Sequence, residues 1–437
     1  MAAPFWVLWD HSYLWGLLLC RGLTALGAKI RPVTCAEAAS GALWRDPPRA
    51  LFVPGGFARR KFAALGPSGA AAVRDYVAGG GIYCGFCGGA GLALSHPDGL
   101  RLCSWTRRAF TDRLDHLVSG HVRLRLDPDS RLIPPDAPPT LAAPVWWPAG
   151  FAPPADGPDP DVAVVAAYAG AEADLLLADI ALGGMSEALL GDCRERFGIA
   201  LTPAFLDGGA CMLSGSHGQG RYVLSHAHLE TPDSPQANAW LSHLLSVFTL
   251  GDAFGRHVPA WNPTAEPVRF DDPHLAAARQ AMDAAIAAGR QTRLLFLRNS
   301  WLLGWRPGMP GFSLSNLAAM LAGASSLPPT QAARAYWSDV GPDFAARMQS
   351  FAHRLEMFFP ARRLEITLSL VDRPAEADPD LVAERRELFG QGPGGGGLCG
   401  ELTQALDGLL LRLLQEEKER GKPFCRKVSP EPPSKDS

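Results

Sequence analysis

The sequence has no apolar run long enough to cross a membrane. Its longest early stretch, Leu14 to Cys20, follows Asp10 and His11 and precedes Arg21. That is too short for a span and wrongly flanked for a secretory signal, and Met1 to Asp10 carries no basic segment. Blocks of like charge are missing as well: 41 basic against 44 acidic side chains leave a formal net charge of -3 over 437 residues. Neither the basic surface that nucleic acid demands nor an acidic solvated tail is expected. Nine cysteines lie scattered without regular spacing, and their number is odd. A disulfide framework is therefore not expected, and a reducing, cytoplasmic setting is. No repeat recurs at a fixed period.

What is present, over the first hundred residues, is an alternation of strand-like and helix-like segments. Phe5 to Trp9, Ala28 to Val33, Arg49 to Val53 and Ile82 to Cys84 read as short buried strands. Leu14 to Leu26, Pro67 to Ala78 and Gly88 to Leu94 read as helices, with Gly27 and Gly79-Gly80-Gly81 as stops and Pro67 near a start. Strands apolar on both faces and separated by helices predict a parallel sheet covered on both sides. The ligand site of such a sheet lies beyond the carboxyl ends of its strands. From Leu102 to about Pro160 prolines break the pattern into a β-rich or irregular insert that includes Val122 to Leu126. Val162 to Tyr168, Leu175 to Ala181 and Arg221 to Ser225 then read as strands, and Pro235 to Leu250 as a helix.

Residues 256–267 carry Pro259, Pro263 and Pro267 and read as a linker. Residues 268–421 are mainly helical in pattern, with helices over His274 to Ala288, Ser313 to Ala324, Pro329 to Tyr336, Asp343 to Phe359 and Leu402 to Arg420. Leu364 to Val371 alternates like a strand, and Gln391 to Gly397 is a glycine-rich loop without the Lys-Ser/Thr of a phosphate loop. Residues 422–437, rich in Pro, Ser and Lys, are expected to be disordered.

The strongest chemical signal is Gly85-Phe86-Cys87-Gly88-Gly89 between a strand and a helix. A nucleophile held at such a sharp turn protrudes above the sheet edge, and its neighbours must be small to avoid the adjacent strand and helix. A helix start also favours thiolate over thiol. The amides of Gly88 and of Gly56, in the loop after the third strand, are candidates for an oxyanion hole. A second signal is His226-Ala227-His228-Leu229-Glu230. On a continuing strand His228 and Glu230 would share one side, a base and the carboxylate that orients it; His226 has the same parity and is the rival base.

Cys87 in this elbow, with His228-Leu229-Glu230 far downstream, resembles the class I glutamine amidotransferases. Within that superfamily the chain looks most like the biotin-protein ligase N-terminal domain family. The resemblance is carried in order by Val7 to Asp10, Leu51 to Gly56, Tyr76 to Gly81, Gly85 to Ala90, Gly208-Gly209 and Gly218 to Arg221 leading to Glu230. It implies a flavodoxin-like three-layer α/β sandwich over residues 1–255, with a mainly α-helical second domain of unknown role after it. It also implies Cys87 as nucleophile, His228 as base, Glu230 as its orienter and a small amide such as glutamine as substrate. The family commonly ends His-Pro-Glu, where this chain has Leu229, and residues 170–206 are longer than the family pattern. No Gly-Arg-Gly-Arg-like biotin-binding segment follows residue 250, so a complete biotin-protein ligase is not expected. No synthetase or ammonia-acceptor domain is recognisable either.

Other readings compete. The alternative is a non-catalytic ligand-binding or regulatory module of the same fold, one tied to biotin or amino-acid metabolism. A peptidase- or deglycase-like relative is a third reading. Cys84 and Cys87 have redox or zinc spacing, but no second ligand pair is evident, so neither a metal nor a cofactor is expected. His116 and His121 read as ordinary histidines. Trp146, Trp147, Trp301 and Trp305 suit core packing better than a pocket. The expected partners are a small-molecule ligand at Cys87 and a protein docked on the helical domain, with no nucleic acid and no membrane.

Overall fold

Short apolar runs punctuated by glycine and proline become neighbouring strands. In the computed structural model, which describes residues 4–108, 117–157, 159–198, 200–369, 378–391 and 396–415, nine of these strands frame one sheet. They are β1 (Phe5–Leu8), β2 (Ile30–Val33), β3 (Leu51–Val53), β4 (Ile82–Phe86), β5 (Val118–Leu126), β6 (Thr140–Trp146), β7 (Val162–Ala171), β8 (Asp207–His217) and β9 (Gly220–Ser225). β2, β1, β3, β4 and β9 lie side by side and parallel. That 2-1-3-4-5 order is the flavodoxin-like arrangement. Beyond β9 the pairing turns antiparallel through β8, β7, β5 and β6, of which β5 and β6 come from the β-rich insert. The predicted strand over Leu175 to Ala181 is instead two two-residue arms, Leu176–Leu177 and Ile180–Ala181, with Ala178 at φ 53° between them.

Alternation along the parallel strands feeds two cores. Phe5, Val7, Phe52, Cys84 and Val223 face one side. Trp6, Leu8, Leu51, Val53, Tyr83 and Leu224 face the other. Four helices cover them: α1 (Leu14–Ala25), α2 (Ala58–Ala78), α3 (Gly88–Ala93) and α4 (Pro235–Phe248). Leu17 and Leu18 of α1 and Trp240 and Leu241 of α4 join the first core, and Leu65, Val73 and Val77 of α2 with Leu92 of α3 join the second. α2 begins earlier than Pro67, because a first helical stretch runs into Gly66, which sits at φ 60° and kinks the helix ahead of the proline.

The helical region comprises α5 (Pro273–Gln291), α6 (Gly311–Ser326), α7 (Gln331–Leu368), α8 (Pro379–Phe389) and α9 (Gly397–Gln415). It packs on the α1 side of the sheet, within the same core: Leu317, Met320, Leu406 and Leu410 belong with Leu17 and Leu18. α1 is buried on every side from Leu14 to Leu23, as a helix apolar all round must be. α6 closes its far side, where a Cβ on Gly323 would lie 2.6 Å from a Leu17 methyl. The segment 256–267 has no helix or strand, yet it is held down: Trp261 is buried, and Val258 O accepts from Asp233 N at 2.9 Å.

Two expectations fail in this region. Pro329 to Tyr336 and Asp343 to Phe359 are one helix, α7, with Pro342 and Pro360 inside it. Trp337, Phe344, Met348, Phe351, Leu355 and Phe358 keep one face of α7 buried along its length. That packing outweighs the roughly 3 kcal/mol that an interior proline costs. Leu364 to Leu368 continues α7 and is no strand, since the alternation of apolar residues there meets no partner strand among the described residues. The glycine-rich loop largely, and the tail over 422–437 entirely, lie outside the described residues, as does His116.

Candidate active site

The loops after β1, β3, β4 and β9 all leave the carboxyl ends of parallel strands, so they converge at one edge of the sheet. Cys87 stands between β4 and α3 with φ 48° and ψ -107°, a backbone that L-residues seldom adopt outside functional turns. Its N–H donates to Ser225 O at the end of β9, 2.7 Å away, which ties the turn to the neighbouring strand. The small residues around it are sterically required. A Cβ on Gly88 would overlap the Gly56 carbonyl, and one on Gly89 would overlap that of Val53. Cys87 remains partly exposed, whereas Cys84, inside β4, is fully buried. Burial, with the nearby charge of Glu230, pushes the Cys84 thiol well up.

His228 and Glu230 do meet, though by a different route from the one expected. β9 ends at Ser225, whose hydroxyl accepts from Ala227 N and donates to Ala227 O (3.0 and 2.8 Å). That side chain competes with the sheet ladder and turns the chain. His226 to Glu230 is consequently a turn, and there His228 Nδ1 and Glu230 Oε1 lie 2.7 Å apart. Both side chains are wholly buried. Burial by itself would lower the imidazole pKa. The charge of Glu230, the neighbouring Cys87 sulfur and the hydrogen bond to Glu230 outweigh it and raise it to about 10. The balance of these causes favours the imidazolium over the neutral ring. Its Nε2 and Glu230 Oε2 are buried without a hydrogen-bond partner among the described residues.

The rival base is chemically different. His226 stacks on Phe151 at 4.2 Å, and neither ring nitrogen has a partner among the described residues. Burial, then the charges of Arg107 and His228, lower it to about 3, so it stays neutral. The glycine loop completes the arrangement. A Cβ on Gly55 would lie 3.0 Å from His228 Cε1, and Gly56, at φ 106°, backs against the His11 carbonyl on one side and Gly88 on the other. Among the described residues, neither the Gly56 nor the Gly88 amide enters a turn, loop or cap backbone hydrogen bond.

Comparison with known proteins adds little. No family model matches the chain. No curated protein matches it either. Solved structures with a similar trace include a GMP synthase-like protein of Thermoplasma acidophilum, at 12% identity over 57% of this chain and 96% of that one, TM-score 0.37. PurLQS of Thermotoga maritima matches at 12% identity over 56% of this chain and 99% of its own, TM-score 0.38. A ThuA-like protein of Bacteroides uniformis matches at 9% identity over 57% and 93%, TM-score 0.36. The flavodoxin-like fold stands on the strand order itself.

Two groups that the sequence does not single out lie behind this edge. Lys61 of α2 is fully buried and donates to Asp10 O at 2.9 Å and to Ser12 Oγ. Desolvation lowers its pKa to about 8 against the raising charges of Cys35, Asp407, Asp10 and Cys87. Asp407 comes from α9. Burial first, then the charge of Asp10, raises its pKa to about 8, and its Oδ1 has no partner among the described residues. In the sequence Lys61 follows two arginines and reads as surface, and only the position of Asp407 within an apolar stripe of α9 hints at burial. The tryptophans, by contrast, gather at the site. Trp15 lies 4.6 Å from the His228 ring and packs with Trp146, Trp147, Trp301 and Phe312 at 5.9–6.5 Å. The helical region therefore supplies part of the wall beside His228.

Proposed function

We propose that the protein is a cysteine-dependent hydrolase of a small amide, with Cys87, His228 and Glu230 as its working groups. The observation that carries this reading is the buried His228–Glu230 pair, 2.7 Å long, whose imidazolium adjoins a cysteine on a strained elbow. In the proposed reaction the Cys87 sulfur attacks the amide carbon, forming a C–S bond and leaving charge on oxygen. The N–H groups of Gly56 and Gly88 are suited to stabilise that oxyanion. The C–N bond then breaks as His228 gives its proton to the departing nitrogen. Water attacks the thioester and passes a proton back to His228. The acid leaves, and the Cys87 thiolate beside a protonated His228 is restored. Glu230 holds the imidazole orientation and balances its charge throughout.

The resemblance to glutamine amidotransferases, and to the biotin-protein ligase N-terminal family within them, makes glutamine the first amide to try. Ammonia release from glutamine and a panel of small primary amides tests the proposal, with Cys87→Ala as the control. Release that depends on Cys87 supports it. No release from a folded wild-type protein across the panel argues against it. One observation favours a second reading, a non-catalytic binding or regulatory module: His228 is wholly buried while Cys87 is partly exposed. In that reading the ligand rests against Cys87 without turnover, and the helical region docks a protein partner in the cytoplasm.

A further inference from the structure

A second relay of nucleophile, base and acid lies on β5, the loop after β7 and the start of α4. His121 Nε2 lies 3.1 Å from Ser234 Oγ, and His121 Nδ1 lies 3.0 Å from Asp174 Oδ2. The other carboxylate oxygen, Oδ1, accepts the His121 backbone N–H at 2.9 Å. Arg298 donates to Oδ2 from behind at 3.1 Å and also to the Asp174 carbonyl. Asp174 is therefore fixed at several points, and it is ionised. Burial would raise its pKa, but hydrogen bonds from His121 and the charges of His121 and Arg298 hold it at about 2. An ionised carboxylate on Nδ1 requires the proton to sit on Nδ1. In the neutral tautomer so oriented, Nε2 accepts from the serine hydroxyl, as a general base must.

The serine is placed unusually for its position. Ser234 is the N-cap of α4, a helix of 14 residues, yet its side chain makes no cap hydrogen bond. Serine at this position ordinarily binds the amides of the first turn. Here the hydroxyl is given to His121 instead. Pro235 has no N–H, and among the described residues the amides of Gln236 and Ala237 enter no turn or cap backbone hydrogen bond. Donors suited to an oxyanion thus stand at the helix start beside Oγ. We propose that Ser234, His121 and Asp174 form a second acyl-transfer site, an esterase centre independent of Cys87. The side chains of His121 and Asp174 are 29% and 43% exposed, so the relay opens to solvent. Ser234 is only 4% exposed, so the acyl group to test first is a small one, acetyl. In the reaction Oγ bonds to the acyl carbon, its proton passes to His121 Nε2 and then to the departing alkoxide, and water releases the acid by the reverse transfer.

The test uses the full-length Cys87→Ala protein, in which the thiol cannot act. It is treated with diisopropyl fluorophosphate, which forms an O–P bond to an activated serine as fluoride leaves, and the adduct is mapped by mass spectrometry. p-Nitrophenyl acetate turnover is measured alongside. The expected result is a single adduct on Ser234. Adduct formation and turnover should both fall about 100-fold in His121→Gln, the scale of a lost general base, and at least about 10-fold in Asp174→Asn. Thermal unfolding establishes that each variant is folded, and Asp174→Asn carries the comparison if His121→Gln is not. An unmodified Ser234 in folded protein, no turnover, or rates unchanged in the folded variants would overturn the assignment.

Discussion

Glu230 and His228 are buried with no exposed surface, so neither can fall back on water if the other is lost. An unpaired buried ion is strongly destabilising, which makes the pair a stability element as well as a candidate catalytic one. The folded pKa of His228 is raised to about 10, above the unfolded value of about 6.5. Its contribution is therefore complete below pH 6.5 and is lost as pH rises through 10. The wild-type unfolding free energy should fall from pH 7 to pH 10 more than that of His228→Gln, by about 1 kcal/mol or more. Thermal melts of both proteins across that window check this, and parallel curves would contradict it.

At the scale of elements, the elbow and the glycine loop hold one another in place. Gly88→Ala would drive a Cβ into the Gly56 carbonyl, which no side-chain rotation relieves. It should cost roughly 1–3 kcal/mol and disturb Cys87. Gly91→Ala in the same helix is the control, because its Cβ would rest 3.8 Å from that of Ala58. Alanine there should be neutral or stabilising, since it has the higher helix propensity. Urea melts of the two variants separate local crowding from a general intolerance of substitution in α3. Elements of this kind were legible in the sequence, because short apolar runs ending at Pro54-Gly55-Gly56 or Gly85 to Gly89 announce both strand and turn. The turn at His226 to Glu230 was not, since alternating residues look like strand until the Ser225 hydroxyl is seen to divert the backbone. α7 was hidden by Pro342 and Pro360, whose local signal opposes a burial pattern that only tertiary packing reveals. Lys61 and Asp407 were invisible for a related reason: two charges far apart along the chain share one buried space.

At the scale of the whole molecule, the helical region is continuous with the sheet's first core. α1 lies between sheet and α6, Arg21 pairs with Glu266 at 2.5 Å and covers Trp261, and Trp9 Nε1 donates to Asp407 O at 3.2 Å. A chain ending at residue 255 would uncover one side of α1 and leave Lys61 without the charge of Asp407. We expect that fragment to self-associate on size exclusion and to lose a cooperative thermal transition. A monodisperse fragment melting within a few degrees of the full chain would instead establish residues 1–255 as an independent domain. The wall beside His228 argues for the first outcome, since Trp301 and Phe312 come from beyond that boundary.

The central claim is that His228, supported by Glu230, acts on the Cys87 sulfur. Its most direct test is the pH dependence of iodoacetamide labelling at each cysteine, followed by mass spectrometry in wild type and His228→Ala. Ordinary thiols, with pKa values of about 8.5, lose reactivity about tenfold per pH unit below that value. Cys87 should stay reactive at pH 6 in the wild type and become ordinary in His228→Ala. A Cys87 that tracks the other cysteines in both proteins would contradict the account.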